Sequence, residues 1–145
     1  MNPPIKVAEE FFVAAQLDRD DIGGLAGQGF RTMINNRPDG EAADQPSHAE
    51  MRAAAQRFGL EYRYIPVKTA TITLGDVEAQ AKAIRDCPQP VVAHCRSGTR
   101  SYLLWAADRV LKGGEDPERL VPNAAESGID LRGLPGLVLH LKVNR

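Results

Sequence analysis

The stretch VVAHCRSGTRSYLLWAA, residues 91 to 107, holds the side chains best suited to chemistry. Val91, Val92 and Ala93 run through His94 into Cys95, and Ser97, Gly98, Thr99 and Ser101 follow, flanked by the charges of Arg96 and Arg100. No acid occurs from Pro88 until Asp108. A buried strand turning tightly into a helix N-terminus presents backbone N–H groups as an anion nest, and the helix dipole adds to the field. Gly98 lets the backbone take a positive φ and approach a ligand closely. A thiol in such a place beside arginines is favoured as thiolate, the form that attacks. The pattern therefore predicts Cys95 as nucleophile and Arg100 as its catalytic partner. Arg96, Ser97, Gly98, Thr99 and Ser101 are the predicted cradle for an anionic substrate. A cysteine that only packs in a core would gain nothing from two arginines and a glycine-hydroxyl loop.

The elements that must position this loop alternate along the chain. Phe11 to Leu17 reads as a strand, and Asp18 with Asp21 caps a helix whose apolar side is Ile22, Leu25 and Ala26. Phe30 to Asn35 is a second strand, closed by the turn residues of RPDGE. Ser47 and Glu50 form a capping box before Met51, Ala54, Ala55 and Phe58, which recur at helical spacing and stop at Gly59. Leu60, Tyr62 and Tyr64 alternate with Glu61 and Arg63 as in a strand. Thr73 and Asp76 cap a third helix, which ends at Pro88. Val91 to Ala93, wholly apolar, fits the buried centre of a parallel sheet. Helices then follow from Leu103 to Leu111, from Asp116-Pro117, and along Leu131, Leu134, Val138 and Leu141.

This alternation predicts an α/β fold in one domain spanning residues 1–145, a mainly parallel sheet flanked by helices. The first strand is open to either parallel or antiparallel pairing. In such sheets the loops at the carboxyl ends of the strands share one edge. Three segments therefore converge: Arg37 to Glu41, Lys68 to Thr73, and His94 to Ser101.

Composition narrows the function classes. With 145 residues, 43% hydrophobic and 26% charged, the chain has the balance of an ordinary globule. A net charge of −1 argues against a dedicated nucleic-acid binder. The lack of an apolar run long enough to span a bilayer argues against a membrane protein. The start, MNPPIKVAEE, lacks the pattern of a signal peptide, and two cysteines do not make a disulfide scaffold. A cytoplasmic setting with reduced thiols is expected.

The loop resembles two families. Cysteine phosphatases carry His-Cys, five residues, then Arg and Ser or Thr, whereas rhodanese-type sulfurtransferases often show Cys-Arg-Ser-Gly-x-Arg-Ser. Only four residues separate Cys95 from Arg100, so the rhodanese-like spacing is met and the phosphatase spacing missed by one. FRTMINNRPDGE, GLEYRYIPV and VAHCRSGTRS together resemble the phosphatase-like domain of beta-lactamase-hydrolase-like proteins, also called domain of unknown function 442. The resemblance covers about residues 5 to 112 and implies a dual-specificity-phosphatase-like fold holding a rhodanese-like loop. Members of that family are assigned as phosphatases or as sulfurtransferases. Some are fused to a persulfide dioxygenase, which implies a functional link to such an enzyme. The His-x-His-x-Asp-His metal motif of that partner is absent here.

Two arguments favour sulfur transfer. A phosphoryl group needs a wide ring of N–H donors and a bidentate arginine, and a shorter loop narrows that ring. Ester cleavage also needs a proton for the leaving oxygen. Dual-specificity phosphatases place an Asp three residues after the Pro of Ile-Pro-Val, where this chain has Thr69. The leading expectation is a cysteine-dependent sulfurtransferase that takes sulfane sulfur from thiosulfate or glutathione persulfide through a Cys95 persulfide to a thiol or cyanide. The alternative is a protein-tyrosine or dual-specificity-type phosphatase acting on a phosphoester through a Cys95 phosphoenzyme. A third reading is a non-catalytic module that binds anions or persulfides.

Other residues have supporting claims. Arg37 is expected either to reach the anion or to hold its own turn through a salt bridge, Lys68 to act in the same way less directly, and Asp39 to support the site. Asp39 or Asp76 could supply the missing acid if the fold brings either over Cys95. His94 is expected to brace the loop through ring hydrogen bonds, a base role being less favoured. Cys87 lies across a strand's length from Cys95, beyond disulfide reach, and reads as an ordinary thiol. His48 and His140 share no ligand spacing, and neither a metal nor another cofactor is expected.

Overall fold

A computed structural model describes residues 3–144 of the chain. Five strands and six α-helices are ordered as β1 (Ile5–Ala8), β2 (Phe11–Ala14), α1 (Arg19–Gly27), β3 (Thr32–Asn35), α2 (His48–Arg57) and β4 (Glu61–Tyr64). They continue as α3 (Leu74–Asp86), β5 (Val91–His94), α4 (Thr99–Leu111), α5 (Pro117–Glu126) and α6 (Leu134–Val143). The strands form one sheet in the order β1-β2-β5-β3-β4. β5 pairs parallel with both β2 and β3, β3 pairs parallel with β4, and only β1 is antiparallel.

The caps form where the sequence places them. Asp18 with Asp21, Ser47 with Glu50, and Thr73 with Asp76 each close both arms of a capping box. Asp116 accepts from Glu118 N–H at the start of α5, with Pro117 next. Gly59, after α2, has φ 81°, the left-handed conformation that glycine adopts without strain.

The two faces of the sheet bury different apolar sets. Met33, Val92, Tyr62 and Ala14 face Ile22 and Leu25 of α1 and Met51, Ala54 and Ala55 of α2. Ile34, Ala93 and Val13 face Val77 of α3, Leu103 and Leu104 of α4 and Val138 and Leu141 of α6. Adjacent strand residues thus serve opposite faces, as the period of a strand requires. β5, at the centre, is buried at all four positions, as its apolar run implies.

Three details differ from the sequence reading. β2 pairs parallel with β5 and antiparallel with β1, a four-residue edge strand that the pattern does not announce. β2 ends at Ala14 rather than Leu17 because the next donor on the side facing β5, Gln16 N–H, reaches past the strand to the Arg96 carbonyl in the loop at 3.1 Å. Leu131 lies before the last helix, buried against the core, with its carbonyl accepting from Leu134 N–H. Among the described residues no helix is long and apolar enough to cross a membrane.

Candidate active site

Cys95 leaves the carboxyl end of the central strand and is itself buried. Its loop is stitched to β2 and β3 by backbone bonds. Cys95 N–H donates to the Ala14 carbonyl at 3.4 Å, Gln16 N–H to the Arg96 carbonyl, and Asn36 N–H to the His94 carbonyl at 2.8 Å. The chain then turns at Gly98, φ 95°, which is the N-cap of α4. A side chain there would be strained by that φ, and its Cβ would lie 3.4 Å from Ile129 and 3.6 Å from the Ala14 backbone. The turn folds Gly98 N–H back onto Cys95 Sγ at 3.1 Å. Of the other N–H groups in the first turn of α4, that of Thr99 donates to Ser97 Oγ at 3.4 Å, while those of Arg100 and Ser101 have no intrahelical acceptor, which is the setting for an anion above the sulfur.

Arg100 enters this site with its orientation fixed. Its Nη1 donates to Glu41 Oε2 at 2.8 Å and to the Val67 carbonyl at 2.9 Å, and its Nη2 donates to Glu41 Oε1 at 2.8 Å. The bond to Glu41, and then the nearby Cys95, hold its pKa above the ordinary arginine value against the opposing effect of burial. Glu41 in turn is held well below the usual carboxylate range, at about 2, by Arg100 first and also by Arg37, although partial burial works the other way. Of the three segments expected to converge, Arg37 to Glu41 and His94 to Ser101 meet here through the Glu41–Arg100 pair, whereas in place of Lys68 to Thr73 it is Val67, one residue earlier, whose carbonyl contacts Arg100.

The other candidates divide. Arg96 and Ser97 are exposed beside the sulfur, and the Ser97 hydroxyl donates to Thr99 Oγ1 at 3.1 Å. Gly98 and Thr99 lie on the loop as expected. Ser101 does not line the cradle. It is fully buried, and its hydroxyl donates to Asn36 Oδ1 at 2.8 Å. Asn36 Nδ2 donates to Gln80 Oε1 at 2.7 Å, and Gln80 Nε2 returns a bond to the Ser101 carbonyl at 3.1 Å. This closed network ties α4 to β3 and α3 behind the loop. Arg37 is also buried; its Nε donates to Glu41 at 3.0 Å and its Nη1 to Gln16 Oε1 at 3.0 Å. It reaches the site through Glu41 rather than by lining it. Lys68 is exposed and joins none of these bonds.

Neither aspartate comes over the sulfur. Asp39 Oδ1 accepts from His48 N–H at 2.8 Å, at the start of α2, and Asp76 Oδ2 accepts from Thr73 N–H at 2.9 Å, at the start of α3. Each is held at a helix N-terminus, where a carboxylate is favoured. The carboxylate that does reach the site is Glu41, the last residue of a segment that the sequence brings to this edge, but one to which no role in the site is assigned from sequence. Its four-residue spacing from Arg37 was the available signal.

His94 braces the loop through its backbone carbonyl, not through its ring. Both ring nitrogens are buried without a hydrogen-bond partner. Burial chiefly, and the charge of Arg37, lower its pKa to about 4, while the Cys95 backbone opposes this. An unfolded chain would protonate His94 below the ordinary value of 6.5, and the folded chain only below about 4. His94 therefore lowers stability as pH falls through that window, by about 3 kcal/mol in all. Urea unfolding of wild type and His94→Gln at pH 4.5, 6 and 7.5 should show the variant lacking this part of the slope. Cys87 is buried in the core at the end of α3, and both cysteines are free thiols.

Comparison with known proteins adds relatives to this geometry. The model of the family described as beta-lactamase hydrolase-like protein, phosphatase-like domain, matches residues 5–112. A beta-lactamase hydrolase-like protein of Xylella fastidiosa strain Temecula1 is 35% identical over 127 residues, covering 88% of this chain. The chain spans about 30% of that relative's length. A crystal structure of a candidate phosphatase from Neisseria meningitidis Z2491 is similar at a TM-score of 0.85 and 30% identity, over 92% of this chain and 94% of the other. The fold is also that of Pseudomonas aeruginosa TpbA in complex with phosphotyrosine, at a TM-score of 0.64 and 16% identity, over 96% and 90% of the two chains.

Proposed function

Since the chain belongs to the family of beta-lactamase hydrolase-like protein phosphatase-like domains, with the fold of the cysteine phosphatases, we propose that it is a cysteine-dependent phosphatase acting on phosphomonoesters. One observation carries this reading. Cys95 Sγ sits under the N-terminus of α4, accepting from Gly98 N–H, with the Arg100 guanidinium already oriented beside it. Sulfur transfer, favoured by the loop spacing and by Thr69 standing where a proton donor is needed, gives way to phosphoryl transfer, which the family and its solved relatives support better.

The chemistry follows from the residues. Cys95 thiolate attacks phosphorus, the S–P bond forms and the ester P–O bond breaks. The loop N–H groups and Arg100 hold the equatorial oxygens as charge spreads over them. Water then attacks the phosphoenzyme, the S–P bond breaks, and orthophosphate leaves with the thiolate restored. Arg96, exposed at the rim, adds positive charge where an anionic substrate arrives. An aryl phosphoester, phosphotyrosine included, is the substrate class this site suits.

The four-residue spacing of Cys95 and Arg100 supports sulfur transfer as a second reading. There the thiolate takes the outer sulfur of thiosulfate, or of glutathione persulfide. A new S–S bond forms as the old one breaks and sulfite, or glutathione, departs. Cyanide or a thiol then removes that sulfur. Such a role is the one that would tie the protein to a persulfide dioxygenase. A paired assay separates the two. Wild type should release phosphate from an aryl phosphate between pH 5 and 8 and form no thiocyanate from thiosulfate and cyanide. Thiocyanate formation with aryl phosphates inert would reverse the assignment.

A further inference from the structure

The Glu41 carboxylate stands at the centre of a closed ring of contacts. The loop carbonyl of Arg96 accepts from Gln16 N–H, Gln16 Oε1 accepts from Arg37, and Arg37 and Arg100 both donate to Glu41. Arg100 then returns the ring to the loop. We propose that Glu41 is a positioning residue of the anion site: held by Arg37, its carboxylate fixes the Arg100 guanidinium so that the Nε–Nη2 edge is presented to an oxyanion above Cys95. The proposal rests on the reading of the Cys95 loop as a nucleophile that handles oxyanions.

Donor accounting supports it. A guanidinium has five N–H groups in a rigid fork. Glu41 takes one from Nη1 and one from Nη2, and the Val67 carbonyl takes the other from Nη1. The two that remain, on Nε and Nη2, are parallel and share one edge, which matches two oxygens of an oxyanion. Glu41 therefore occupies the edge that substrate does not need. An exposed ion pair would contribute little, but this one is bidentate and largely covered, with Arg100 at 12% and Glu41 at 24% side-chain exposure. Arg37, at 6%, is covered further. With two arginines and one carboxylate, the cluster keeps a net positive charge toward the sulfur.

The test uses Glu41→Gln, Glu41→Asp and Arg37→Met, with Glu61→Gln as control because its pair with Arg63 is exposed. Tungstate binding is measured by calorimetry, and kcat and KM with an aryl phosphate. Glu41→Gln should weaken tungstate binding and lower kcat by about 10- to 100-fold, as a misplaced catalytic group does. Arg37→Met should act in the same direction, Glu41→Asp should recover part of the loss, and Glu61→Gln should match wild type. Thermal melting of each variant separates these effects from unfolding; if Glu41→Gln does not fold, the aspartate and Arg37 variants carry the test. Tighter tungstate binding by Glu41→Gln would identify a plug and overturn the proposal, as would unchanged binding and kcat. Tungstate binding by a wild type inert toward aryl phosphates would sink the phosphatase reading alone, since Glu41 is still read from binding.

Discussion

Cys95→Ser is expected to lose at least ~10⁴-fold in aryl phosphate turnover, the scale on which removal of a nucleophile is felt. The fold should be retained. A serine oxygen can accept the Gly98 N–H bond that Sγ now takes at 3.1 Å, and the exchange changes little volume in a buried place. Tungstate should still bind the variant, because the N–H groups and Arg100 are untouched. Rapid quenching of wild type during turnover should give, by mass spectrometry, a protein heavier by one phosphoryl group, on the peptide containing Cys95. Turnover surviving in Cys95→Ser would place the chemistry elsewhere.

The second large effect concerns the leaving group. Asp39 and Asp76 are engaged at the starts of α2 and α3, and Glu41 is ionised down to about pH 2 by Arg100 and Arg37. The leaving oxygen must then depart as an anion or take its proton from water. A positioned general acid contributes about 10²- to 10⁴-fold, and that much should separate phosphates of acidic phenols from those of alkyl alcohols such as serine. A series of substituted phenyl phosphates, read as kcat/KM at fixed pH, should show rates falling steadily as the phenol becomes more basic. A flat series would reveal a proton donor over the sulfur.

Much of the frame was legible because its signals are local. The capping boxes at Asp18, Ser47 and Thr73 need only residues three apart, and the apolar run of β5 states its own burial. The Cys95 loop was legible for the same reason, since its glycine, thiol and arginines are adjacent in sequence. Glu41 was not, because it pairs with Arg100 across 59 positions. A count of charges around Cys95 finds only arginines, whereas the folded site contains a carboxylate brought in from the loop after β3. Ser101 misleads in the opposite direction. Its hydroxyl looks like part of the cradle, but helical geometry turns it toward Asn36 and away from the sulfur's side. β1 escaped because an edge strand of four residues has too short a pattern to stand out.

The central position of β5 has a consequence for how the site fails. The sulfur is mounted where β2 and β3 flank the chain on both sides, so its strand opens only with the whole sheet. Glu41 belongs to residues 37–47, which carry no helix or strand and are held mainly by side-chain hydrogen bonds rather than by a backbone ladder, such as Gln45 Nε2 to the Pro38 carbonyl, His48 N–H to Asp39 and Asp39 N–H to the Tyr64 hydroxyl. An excursion of that segment would release the arginine while the core stays shut. Heat or mild denaturant should therefore abolish the proposed turnover before the protein melts, with amide hydrogens of residues 39–45 exchanging long before those of Val92 and Ala93.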